Sequence, residues 1–209
     1  MQDGPGWIGD GLSWQRFRPY LAKVNGDLVK AIQWYQWNVE ISAAFYGSLH
    51  FLEVPLRNAV HRRLSAQFGR DDWWVVAPLD QAGRRIVDDA LRKLASRSRG
   101  SMPDDMVAEL SFGFWVSLVS SKYHRDLWVS GLHRAFPSYR GPRRRLHSEL
   151  QTMLLFRNRV MHHEPIHHRH LEADHATILR VVGYMSTDMA HQLKSFDQVP
   201  VVLGRRPAA

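Results

Sequence analysis

Leu154-Leu155-Phe156-Arg157-Asn158-Arg159-Val160-Met161-His162-His163-Glu164-Pro165-Ile166 reads as the end of an apolar helix. It carries Arg, Asn and His where a helix made only for packing would carry Leu. Reading back, Leu146, Leu150, Met153 or Leu154, Arg157 and Met161 follow one another at spacings of three and four, the period of a buried helical stripe. Arg157 therefore stands in the apolar line or at its edge. A guanidinium does not lose its proton, so there it needs a carboxylate of the fold or an anion of a ligand. Asn158 and His162, four apart, share a face, and Pro165 keeps Glu164 out of helical geometry.

Working outward, Arg143-Arg144-Arg145 opens the motif helix, where the helix dipole disfavours cations. A fold gains nothing from three cations there, so this cluster, with Arg159, is the expected contact for a phosphate backbone. Upstream, Ser13 is expected to cap a helix over 14–24. Asn25-Gly26 ends it. Two helical patterns then follow, one through Leu28, Ile32, Tyr35, Val39, Ala43 and Tyr46, the other through Leu49, Leu52, Leu56, Val60 and Leu64, with Gly47 or Pro55 marking a break or kink. Trp73-Trp74-Val75-Val76 is the one β-like run. Asp80 caps a charge-rich helix over 81–96, where Arg84, Arg85, Arg92, Lys93, Arg97 and Arg99 surround the apolar Ile86, Ala90 and Leu94. Pro103-Asp104-Asp105 opens another helix, and Phe112, Trp115 and Leu118 form an aromatic cluster that reads as core. Further helices are expected over 123–136 and 171–195. The pattern is all-α: a loose arm over 1–12, pinned by Trp7, one helical domain over 13–196, and an unstructured tail over 197–209.

Composition narrows the chemistry. A 209-residue chain that is 44% hydrophobic can bury a real core. Lys and Arg number 28 against 20 for Asp and Glu, a formal charge of +8 that suits a polyanionic partner. There is no cysteine, which excludes disulfides, thiolate metal sites and thiol nucleophiles. No apolar run is long enough to cross a bilayer, and the first residues lack the build of a signal peptide, so a cytoplasmic protein without membrane contact is expected.

Arg157-Asn158, three residues, then His162 resembles the Arg-x4-6-His motif of HEPN-domain ribonucleases. The longer string from Phe156 to Ile166 is similar to a segment of the Abi-like, abortive-infection branch of that superfamily. The stretches 52–60 (Leu-Glu-Val-Pro-Leu-Arg-Asn-Ala-Val) and 110–118 (Leu-Ser-Phe-Gly-Phe-Trp-Val-Ser-Leu) fit the same family, so the resemblance spans residues 52 to 166. It implies a HEPN-like bundle with additional helices, acting as a metal-independent endoribonuclease in toxin or antiphage function. A silent RNA- or protein-binding HEPN module is the alternative. It further implies Arg157 as phosphate clamp, Asn158 as orienting group, and His162, or His163 in its place, as acid/base. Glu53, Arg57 and Asn58 become supports, although Glu53 and Arg57 are also spaced for a simple intrahelical ion pair.

The residue types suit that chemistry. When a 2′-hydroxyl attacks the adjacent phosphate, the reaction needs a base, an acid for the leaving 5′-oxygen and a cation for the phosphate, which histidine and arginine supply. One motif offers one confident imidazole. A homodimer that apposes two motifs, as in the ribonucleases resembled, or His61 in the Arg57-Asn58 echo, would supply the second. His163-Glu164-Pro165-Ile166-His167 also spells His-Glu-x-x-His, but Pro165 inside the string breaks the helix such a zinc site requires, so neither metal nor cofactor is expected. RNA is the expected partner, and the sequence names no trigger or inhibitor.

Overall fold

The computed structural model describes residues 5–97 and 102–208. Among them there is no strand, and the buried apolar side chains form one cluster. The axis of the molecule is α2 (Leu28–Phe68), with α1 (Trp14–Lys23), α6 (Arg143–Met161), α7 (Leu171–Met185), α8 (Thr187–Phe196) and α9 (Val199–Leu203) packed around it. α3 (Gln81–Ser96), α4 (Pro103–Glu109) and α5 (Phe112–Ser117) close the far end.

Several boundaries follow the capping signals. The Ser13 hydroxyl accepts from the Arg16 amide, Asp27 from Lys30 and Asp80 from Gly83, each side chain satisfying an amide that the first turn leaves free. The long helix departs from expectation, because α2 runs unbroken through both Gly47 and Pro55. Pro55 removes one helical hydrogen bond, a cost of roughly 3 kcal/mol. Burial of Pro55 with Leu52 and Leu56 offsets it. Gly47 serves packing: a Cβ there would stand 3.4 Å from the ring of Phe196.

Other elements are corrected by their surroundings. Trp73–Val75 is a 3-10 turn rather than a strand; Trp73 and Trp74 are buried, and Arg84 of α3 donates to the carbonyls of Trp74 and Ala77 at 2.9 and 2.6 Å. The span 123–136 is not one helix but a π turn (His124–Val129) and a 3-10 turn (Leu132–Ala135). Gln67 on α2 holds this segment by donating to the Asp126 carbonyl and the Ser130 hydroxyl. The helix expected over 171–195 breaks at Ser186, whose hydroxyl caps α8 through the Met189 amide. Neither end is loose where it is described. Trp7–Leu12 forms a helical turn pinned by fully buried Ile8 rather than by half-exposed Trp7, and α9 lies in the supposed tail, held by Trp37 Nε1 donating to the Val202 carbonyl at 2.9 Å. Arg99 lies outside the described residues. No helix among the described residues is long and apolar enough to cross a membrane.

Candidate functional site

The buried stripe of α6 runs Leu146, Leu150, Met153, Phe156 and Val160, which leaves Arg157 at its edge. There it meets Glu53 of α2: Nε donates to Oε2 at 3.0 Å and Nη2 to Oε1 at 3.4 Å. The side chains are 30% and 23% exposed, so the pair is screened less than a surface ion pair. Glu53 thus reaches across to α6 instead of bridging to Arg57, its neighbour one turn along. Arg57 keeps a buried Nε with no hydrogen-bond partner. Glu53 and Arg57 thus share an edge of α2 without pairing with each other.

Past Arg157 the chain leaves α6 in a fixed way. The His162 amide donates to the Asn158 carbonyl and the Glu164 amide to the Arg159 carbonyl, while His163 adopts a left-handed backbone conformation with φ of 56°. That conformation is strained for a residue with a Cβ, and the surroundings hold it. Buried Asn38 of α2 accepts from the Ile166 and His167 amides at 2.8 and 3.2 Å. Arg16 donates to the His162 carbonyl, Arg159 to the Pro165 carbonyl, and Arg169 makes a two-pronged pair with Asp174 at 2.7 and 2.8 Å. His167 is slotted between Tyr20 and Trp34, where burial pushes its pKa down to about 4.

Between α1, α2 and the end of α6 lies a cleft of about 720 Å³, whose walls include Arg16, Tyr20, Tyr35, Tyr46, Met161 and His163. Met161, one turn beyond Arg157 on α6, lines the cleft, whereas Glu53 and Arg157 themselves do not. His163 lies on the wall and His162 does not, and both are exposed. The two histidines thus differ in place, His163 alone lining the cleft.

The remaining expected residues scatter. Asn158 is half-buried on α6. Arg159 braces the turn, pairing with Glu164 at 3.4 Å. Asn58 does not support the motif: five residues beyond Glu53 on a helix, it faces the opposite edge of α2 and lines a different cleft. Arg143 and Arg145 have structural roles, contrary to the expectation that a fold gains nothing from them. Arg143 donates to the Val119 carbonyl just past α5 at 2.6 Å, and Arg145 shares Glu149 with Arg180. Arg144 is exposed but lies about 20 Å along α6 from Arg157, at 1.5 Å per residue. His61 accepts from Trp73 Nε1 at 3.1 Å, two helical turns beyond Glu53, and burial pushes its pKa down.

The His-Glu-x-x-His string lies past the end of α6, so no helix presents its two imidazoles on one face. Among the described residues no three His, Asp or Glu side chains gather as a metal site. Sequence reasoning missed Asn38, Arg16 and the tyrosines of the cleft. Asn38 fell outside the pattern read through Tyr35, Val39 and Tyr46, because the buried face of α2 runs instead through Trp34, Asn38, Ile41 and Phe45 and leaves Val39 and Tyr46 exposed. No protein-family model matches the chain, and no curated protein or solved structure matches it either.

Proposed function

We propose that this protein is a metal-independent endoribonuclease, acting as a toxin or abortive-infection effector. The observation that carries the reading is His163 on the wall of a tyrosine-lined cleft at the end of α6, the helix that also carries the Glu53-paired Arg157. A nucleotide needs a flat apolar surface for its base and a cation for its phosphate. The tyrosine-lined walls offer the first and Arg16 on the wall the second, with Arg157 one turn of α6 before Met161. In the reaction, a base takes the proton of the 2′-hydroxyl, the 2′-oxygen bonds to phosphorus, and the 5′-oxygen leaves with a proton from an acid. The products carry a 2′,3′-cyclic phosphate and a 5′-hydroxyl. His163 is the better placed imidazole, with His162 beside it. A homodimer that brings two such ends together supplies base and acid on opposite sides of the phosphate.

One observation favours the alternative of a silent RNA- or protein-binding module: Glu53 already neutralises the charge of Arg157. A single experiment separates the readings. Purified protein is incubated with total RNA with and without EDTA, beside Arg157→Ala, His162→Ala and His163→Ala, with product ends analysed and mass measured at assay concentration. EDTA-resistant cleavage lost in Arg157→Ala and in one histidine variant is expected. No cleavage by a folded wild type, or cleavage retained in all three variants, rejects the ribonuclease. Full activity from a strict monomer rejects the composite dimer.

A further inference from the structure

On the edge of α2 away from Glu53, two further clefts of about 530 and 470 Å³ meet, sharing Arg63, Arg134 and Pro137 in their walls. Arg62 joins them in one cleft, and Arg140 in the other, beside Trp128, His133 and Tyr139. Among the described residues no Asp or Glu lines either cleft. These arginines come from three separate segments: the last third of α2, the 132–135 turn and the loop that follows it. The fold therefore gathers them; they are not the solvated face of one helix. Arg140 Nη1 donates to the Pro137 and Tyr139 carbonyls, which fixes its guanidinium over the trough. His133 Nδ1 is bonded to the Trp128 carbonyl, which makes Nδ1 the protonated nitrogen and leaves Nε2 as an acceptor in the neutral ring.

Cations gathered without a carboxylate repel one another, and a bound polyanion removes that repulsion. Aromatic faces beside a cationic track are the combination by which proteins hold single strands: arginines follow the phosphates and rings stack on unpaired bases. We propose that this trough is the binding track for single-stranded RNA, and that Arg63 and Arg134, common to both clefts, each hold a backbone phosphate. The choice of RNA rests on the ribonuclease reading; the track itself does not. Arg143, Arg144 and Arg145, chosen from sequence for this role, follow Gly141 of the trough wall but do not line it, and Arg143 and Arg145 are engaged within the fold.

The test measures binding of a fluorescently labelled oligouridine by anisotropy across a salt series. The proteins are His162→Ala/His163→Ala and the same protein carrying Arg63→Gln/Arg134→Gln. Arg85→Gln/Arg92→Gln on α3 is the charge-matched control, and thermal unfolding verifies each fold. Loss of about two phosphate contacts should flatten the slope of log K against log salt by roughly 1.4 and weaken binding about 10- to 100-fold near 0.1 M salt, with the control far less affected. Equal slopes and affinities for parent and trough variant overturn the proposal, as does equal loss in the α3 control. Cleavage by wild type with unchanged binding in the trough variant removes the track and leaves the ribonuclease. Trough-dependent binding by a wild type that never cleaves RNA does the reverse.

Discussion

Asn38 is 4% exposed, and its Oδ1 accepts from two amides of the turn that follows the motif helix. Replacing it by leucine keeps most of the volume and removes the acceptor. The Ile166 amide is then left buried and unpaired, at about 1–3 kcal/mol, and the part-buried His167 amide adds about half as much. The expected loss is therefore about 2–4 kcal/mol, or about 4–16 °C in Tm for a chain of this size. Asn38→Ala should lose slightly more, because it also opens a small void. Urea unfolding gives the free energy, and native-state hydrogen exchange gives its location: the Ile166 and His167 amides should lose protection first. His163, which lies on the cleft wall only while this turn is held, should then lose its fixed place, so activity falls more than the unfolded fraction explains. A stability change in Asn38→Leu below about 0.5 kcal/mol, or normal protection at both amides, would falsify the claim that Asn38 holds the turn.

Two further outcomes follow from burial. His167 has a folded pKa of about 4 against an ordinary value of 6.5, so between those values the unfolded chain binds the extra proton and stability falls as pH drops through that window. His167→Phe, which keeps a ring between Tyr20 and Trp34, should reduce the loss of unfolding free energy between pH 7 and pH 4.5; an unchanged pH dependence contradicts the assignment. Gly83→Ala should destabilise by about 1–2 kcal/mol despite the better helix propensity of alanine. The new Cβ would lie 2.9 Å from the Tyr123 hydroxyl, which Asp80 holds in place, whereas Gly11→Ala meets nothing within 4 Å and should be neutral in the same unfolding assay.

The helical class and many helix ends were legible in the residues because they depend on neighbours. Ser13, Asp80 and Pro103 act within a turn of themselves, and Phe112, Trp115 and Leu118 declare a core face by spacing. Where a local signal failed, a distant contact outweighed it. Pro55 and Gly47 are helix breakers by composition, yet burial and the Phe196 ring carry α2 through them. Trp73-Trp74-Val75-Val76 has strand propensity, but burial of both indoles and the reach of Arg84 wind it into a turn.

The candidate site divides in the same way. Arg157, Glu53 and the paired histidines stand out in the sequence because cations and imidazoles at an apolar helix end require an account. Which carboxylate Arg157 meets, which histidine lines the cleft, and which arginines remain without a carboxylate are decided between residues far apart in the chain. Glu53 and Arg157 are separated by 104 positions, and Asn38 reaches the turn from 128 positions away. Periodicity reports the buried side of α6 but misplaces that of the first half of α2, where Val39 and Tyr46 are exposed. What each side is buried against is settled only when the helices pack.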